Sequence, residues 1–195
     1  MGADSSKFKN TYRITSNRMK DWDYGSPGYY FVTLCTRKKA CWFGEVRNEK
    51  VRLSPAGEVA RQFIEKIPQI HPNYSLPAWV VMLNHIHAII GIEDRLVPSV
   101  ETPHRGVSTT KPWRPGVLGA VINQYKSACT KRIRALGYVN FRWQAGYYDH
   151  IIRNEKYLQD IYRYMLGNPA KWAEDEYSSG WEDRGNTCSE NLGSN

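Results

Sequence analysis

Residues 79–90, WVVMLNHIHAII, constrain this chain more than any other stretch. Apolar runs flank two histidines that are separated by one residue. Short runs rich in Val and Ile read as strands, and the apolar flanks make the histidine strand a central one. Side chains two apart on a strand point to the same face, so His85 and His87 project together. Two imidazoles side by side in such a strand need polar partners, because an unpaired buried polar group costs about 1–3 kcal/mol. A divalent metal satisfies both at once. Two hydrogen-bonded structural histidines meet the same requirement. A metal would need at least one further ligand, an Asp, Glu, Asn or Gln from another element.

The surrounding pattern supplies the sheet. Residues 29–36 (YYFVTLCT) read as a strand, and residues 41–53 as a small hairpin around Arg47-Asn48-Glu49. Ser54 and Pro55 suit the cap and first position of a helix, carried by apolar positions 56, 59, 60, 63, 64, 67 and 70 as far as Pro72. Strands are expected at 76–82 and 86–92. A second helix opens at Pro115 and follows apolar positions 117, 118, 121, 122, 125, 129, 133 and 136 to Gly137. A strand follows at about 147–152, and Asn154 caps a third helix that ends before Pro169. The core order strand-helix-strand-strand-helix-strand predicts an α+β, ferredoxin-like split βαβ sandwich with a central antiparallel sheet. The last helix is an addition that packs on or beside it.

The 195 residues fit one domain, and 41% hydrophobic content is globular rather than disordered. Lys and Arg total 27 against 19 Asp and Glu, a formal +8 that favours a polyanionic partner. The excess is regional. Residues 105–153 hold nine basic residues and one acid, Asp149, whereas residues 171–195 hold two and six. The expected organisation is a flexible basic extension over 1–27, a domain over 28–173, and a flexible acidic tail over 174–195. A Pro-rich loop is expected over 94–115. No apolar run is long enough to span a membrane, and residues 1–18 lack the apolar core of a secretory signal. Cys35, Cys41, Cys129 and Cys188 fit neither a zinc site nor a disulfide scaffold, so a reducing cytoplasm is the expected location.

Two more segments carry chemistry. In the last helix Tyr157, Asp160, Ile161, Tyr164 and Asn168 fall on one stripe, with Tyr164 and Asn168 one turn apart. A plain packing face explains this stripe by itself. A tyrosine hydroxyl is a poor nucleophile in water, and becomes a useful one when aimed at a phosphate polarised by a metal. Upstream, Arg142, Trp143, Tyr147, Tyr148, His150 and Arg153 interleave aromatic and basic side chains, and Lys126, Lys131, Arg132 and Arg134 crowd the second helix. Such mixtures suit phosphate contacts and base stacking, although an amphipathic strand and a solvated helix face look the same. Phosphate-loop, zincin, nucleophile-elbow and deaminase signatures are all missing from the sequence.

These residues resemble a known family. His85-Ile86-His87 with a helix tyrosine is similar to the HUH single-tyrosine transposases. VVMLNHIHAII resembles their V-V-M-P-N-H-x-H-x-I-I block, with Leu83 where proline is common, and CWFGEV resembles their first hairpin. FRWQAGYYDHIIRNEKYLQDIYRYMLGNPAKW is most similar to the REP-associated tyrosine transposases, and the resemblance covers roughly residues 28–173. It implies a DNA-binding endonuclease and transposase that cleaves and rejoins single-stranded DNA at hairpin, or palindromic, sites in transposition and DNA recombination. The link formed would be a 5′-phosphotyrosine. His85 and His87 would be catalytic metal-binding residues, Asn168 the third metal ligand, Tyr164 the nucleophile, and Mg²⁺ or Mn²⁺ the ion. The protein would be a monomer or a homodimer. A non-catalytic hairpin-binding protein on the same fold would keep the basic surface without needing Tyr164, and a metal-dependent hydrolase would use water in its place.

Overall fold

In the computed structural model the described residues are 7–8, 11–12, 22–48, 50–94, 117–168 and 172. Most of the basic head, the Pro-rich stretch with Pro115, and the acidic tail with Cys188 lie outside them. Near the start a two-residue pair joins β1 (Lys7–Phe8) to β2 (Thr11–Tyr12).

The molecule is α+β, built on a four-stranded antiparallel sheet. Its strands are β3 (Gly28–Cys35), β6 (Tyr74–Val81), β7 (His85–Ile92) and β8 (Tyr148–Ile152), in the order β6-β7-β3-β8. β3 and β6 run the same way with β7 between them. The predicted hairpin forms a separate two-stranded sheet, β4 (Gly44–Arg47) and β5 (Lys50–Leu53).

Alternation divides the sheet into two faces. Tyr30, Val32 and Leu34 of β3 join Ile86, Ala88, Ile90 and Ile92 of β7 in the main core, under α1 (Pro55–Glu65) and α3 (Leu118–Ala135). The Tyr125 hydroxyl ties these helices by donating to the Ala60 carbonyl at 2.9 Å. The opposite face holds a smaller cluster, Ile89, Ile152, Ile161 and Met165, under α4 (Glu155–Gly167). β7 is buried along its whole length, as its apolar sequence predicts.

Local chemistry explains most boundaries. Ser54 accepts a hydrogen bond from the Gly57 amide and caps α1, and Asn154 accepts one from the Tyr157 amide and caps α4. Gly137, at φ 99°, follows the end of α3 in a conformation that favours glycine. The single helix expected up to Ile70 is instead broken at Lys66 into α1 and a one-turn α2 (Ile67–Ile70). Pro68 explains the break, because its ring clashes with the carbonyl four residues back and it has no N–H to donate. No helix among the described residues is long and apolar enough to cross a membrane.

Gly57 is where α1 lies against the loop before β4. A Cβ there would meet the Phe43 carbonyl oxygen at 2.0 Å. Backbone cannot step aside as a side chain can, so Gly57→Ala is expected to cost about 3 kcal/mol. The urea midpoint of the variant is the check.

Candidate functional site: a histidine pair facing a helix tyrosine

His85 and His87 project from β7 onto the α4 face, 0% and 1% exposed. Their Nε2 atoms are 3.1 Å apart and their ring centroids 4.5 Å apart. The Nδ1 atom of each ring meets an oxygen, Asn84 Oδ1 at 2.8 Å for His85 and Thr33 Oγ1 at 2.8 Å for His87. Thr33 lies directly opposite His87 in the β3–β7 register. Phe31, two residues earlier on the same face, stacks on His87 at 5.1 Å. Burial holds both imidazoles neutral. It lowers His87 to about 3, and it takes His85 well below the ordinary 6.5, with smaller contributions from His87 and Lys39.

The last helix supplies the rest. Tyr164 is 45% exposed, and its hydroxyl lies 3.4 Å from His87 Nε2. Its ring meets Phe31 edge-on at 6.4 Å. Tyr157, on the same stripe, packs instead against His150 at 5.1 Å, and Tyr162 is solvent-exposed. Asn168 ends the helix one turn beyond Tyr164. It is 3% exposed, and its Nδ2 has no hydrogen-bond partner among the described residues. Trp172 stacks over His85 at 6.1 Å.

These donors suit a divalent cation. Among the described residues no three His, Cys, Asp or Glu side chains converge, so an ion on the histidines would need an amide or water to complete its shell. Two Nε2 atoms 3.1 Å apart have the spacing of neighbouring ligands around an ion about 2.1 Å from each. Asn168 is a buried amide whose orphaned end, turned over, would offer Oδ1.

The other sequence candidates divide between the two faces. Tyr148 pairs with Thr33, and His150 with Phe31, so both exposed side chains share the face of the histidines. Tyr147 points the other way and packs against the main core with its hydroxyl buried. Trp143 also packs there, and its indole N–H donates to the Lys126 carbonyl. Lys126 and Arg134 hold backbone. The Lys126 ammonium donates to the Gln144 and Gly146 carbonyls at 2.6 and 2.7 Å, and Arg134 donates to the Phe141 carbonyl. Burial lowers Lys126 to about 8, which leaves it mostly charged at neutral pH. With Ser127, Thr130, Lys131 and Trp143 these residues line an open groove of about 510 Å³ on the α3 side. Lys131, Arg132, Arg142 and Arg153 are exposed.

Sequence reading missed the side chains that orient the histidines. Thr33 is polar within an apolar strand, a signal that was available, but only the β3–β7 register places it on His87. Asn84 stands beside His85 in the sequence, yet its role depends on a carbonyl 45 residues away.

No protein-family model matches the chain. A solved structure of a REP-associated tyrosine transposase bound to a REP hairpin aligns with 87% of this chain and 81% of its own, at a TM-score of 0.52 and 21% identity. The fold is therefore that of a REP-associated tyrosine transposase, the family that the sequence resembles. The chain belongs to the same family as an uncharacterized protein of Haemophilus influenzae. The two are 32% identical over 170 residues, which are 83% of this chain and 91% of that protein.

The neutral histidines make stability depend on pH. Below about pH 6.5 the unfolded chain takes up protons that both native rings refuse, His87 until about pH 3, so stability falls as pH falls through that window. With chelator present, the urea midpoint should drop steadily from pH 7 to pH 4. His87→Gln should flatten part of that slope.

Proposed function

We propose that this chain is a metal-dependent transposase-type endonuclease that cleaves and rejoins single-stranded DNA next to a hairpin, with Tyr164 as nucleophile. The observation that carries the reading is the Tyr164 hydroxyl, 3.4 Å from Nε2 of one histidine of the buried pair. A nucleophile and an ion-binding group this close can act on one phosphate. The strand order β6-β7-β3-β8 supports a ferredoxin-like split βαβ core spanning 28–173.

His85, His87 and Asn168 would hold Mg²⁺ or Mn²⁺, which supplies charge neutralisation at the scissile phosphate. Tyr164 attacks phosphorus and gives up its phenolic proton to solvent water. The bond to the 3′-oxygen breaks, and that oxygen leaves as a 3′-hydroxyl after taking up a proton. The DNA 5′ end stays on the protein as a phosphotyrosine. Attack by another 3′-hydroxyl reverses the step, and the linkage conserves the phosphodiester, so no nucleotide cofactor is needed.

The register also suggests a path for the strand. His87, Thr33 and Tyr148 lie side by side across three strands, which puts Tyr148 about 10 Å from the histidines. An unpaired base next to the cleaved phosphate would stack on Tyr148, with His150 and Arg153 beside the backbone. Lys131, Arg132 and Arg142 would make the salt-sensitive contacts to the hairpin.

Incubation with labelled hairpin DNA and Mn²⁺, resolved on a denaturing protein gel, tests the proposal. Wild type should yield a covalent protein–DNA band. Tyr164→Phe removes one oxygen and little packing, so the band should vanish while hairpin affinity stays within about twofold. His87→Ala should abolish cleavage with affinity retained. A band that persists in Tyr164→Phe assigns the nucleophile to another residue. Cleavage without any band assigns it to water.

A further inference from the structure

We propose that the two histidines are held unequally: Asn84 locks His85 in one tautomer, whereas the Thr33 hydroxyl lets His87 exchange tautomers as a divalent cation enters. Asn84 and Thr33 are thus positioning residues for the ion. The inference rests on reading the pair as a metal site.

The lock follows from which groups can donate. Asn84 is 1% exposed, and its Nδ2 donates to the Lys39 carbonyl at 3.0 Å. A carbonyl only accepts, so the amide nitrogen must be the end that faces it. The amide oxygen is then fixed toward His85 Nδ1, at 2.8 Å. That oxygen also only accepts. His85 therefore carries its proton on Nδ1, and its Nε2 presents a bare lone pair toward His87.

The surrounding backbone holds this arrangement in place. Lys39 closes a turn, Arg37–Lys39, in which Lys38 and Lys39 take φ of 59° and 53°. Two successive non-glycine residues in the left-handed region are a strained choice, of the kind that persists where the surroundings impose it. The Asn84 carbonyl accepts from the Thr36 amide at 2.8 Å, and the Leu83 carbonyl from the Phe43 amide at 2.9 Å. The turn that carries Asn84 is thus tied to the segment that carries Lys39.

His87 is partnered differently. Thr33 Oγ1 lies 2.8 Å from its Nδ1, and a hydroxyl can donate or accept. Without a cation, two bare Nε2 lone pairs 3.1 Å apart would repel, so His87 carries its proton on Nε2 and donates it to His85, with the Tyr164 hydroxyl 3.4 Å from the same nitrogen as a second acceptor. Thr33 then donates to the bare Nδ1. With a cation bound, both Nε2 atoms must offer lone pairs. The His87 proton then resides on Nδ1 and Thr33 accepts it. The ring loses one proton at Nε2 and gains one at Nδ1 through exchange with water, with no net release. Asn84 could not serve His85 in both states; Thr33 can serve His87 in both.

Imidazole ¹⁵N NMR of the full chain tests this directly. In chelator, His85 should be protonated on Nδ1 and His87 on Nε2. Saturating Mg²⁺ should move the His87 proton to Nδ1 and leave His85 unchanged. Asn84→Asp keeps an acceptor and should preserve the His85 tautomer. Asn84→Leu should release it and weaken Mn²⁺ binding by about 10–100-fold, the usual penalty for losing a partner of a ligating histidine. Thr33→Ser should bind Mn²⁺ like wild type and Thr33→Val more weakly. Thermal unfolding of each variant separates lost control from lost fold. His85 protonated on Nε2 in chelator overturns the lock, as does an unchanged tautomer and affinity in Asn84→Leu. An unchanged His87 tautomer at saturating Mg²⁺ overturns the exchange. If neither ion binds the wild type, the metal reading and the exchange both fall, while the cation-free tautomer of His85 still decides the lock.

Discussion

The antiparallel pairing of β3 with β7, in which Thr33 stands opposite His87, is the constraint on which the rest of the structure depends. It decides which residues of both strands face α1 and α3 and which face α4. A slip of one residue in either strand would turn that strand's side chains over. In β7 it would drive two imidazoles into the main core and bring Ile86 and Ala88 out under Tyr164. The large apolar cluster on one face makes that slip costly. The same burial that holds the register also keeps the histidines neutral and able to act as ligands.

The charge distribution follows the same division. Half-buried Lys126 and exposed Arg134, prominent in the basic stretch of sequence, also fasten residues 141–146 to α3 through backbone carbonyls. A half-buried ammonium bonded to two carbonyls costs less than one desolvated without them, and it fixes a loop that among the described residues has one bridge to the sheet, Thr36 to Trp143. Among the described residues of that stretch Lys131, Arg132, Arg134, Arg142 and Arg153 are exposed.

Much of the fold was legible because local signals agreed. Ser54-Pro55 and Asn154 marked helix starts, Gly137 marked an end, and the apolar runs marked the central strands. The break at Lys66 was legible in principle, since Pro68 sits inside the helical pattern, but the periodic apolar positions on either side masked it. At the site, His85 and His87 were legible as a pair from strand alternation, and Tyr164 was set apart from Tyr162 by helical rotation. Thr33, Phe31 and Trp172 were not, because nothing local records which residue lies across a strand or above a ring. Trp143 and Tyr147 show the converse. Their composition suggested an exposed aromatic platform, and only the pleat reveals that both lean on the core.

The unequal thickness of the two layers has a consequence for motion. α3 buries seven of its residues, whereas α4 buries Ile161 and Met165 within the helix and Asn168 at its end. Free energies of local opening rise with such anchoring, so α4 is expected to open more readily than α3. Its amides should exchange with deuterium well before those of α3 or β7. The element that carries Tyr164 is thus held by fewer buried side chains than α3, and exchange along it would report how readily the hydroxyl parts from the imidazole while the sheet stays intact.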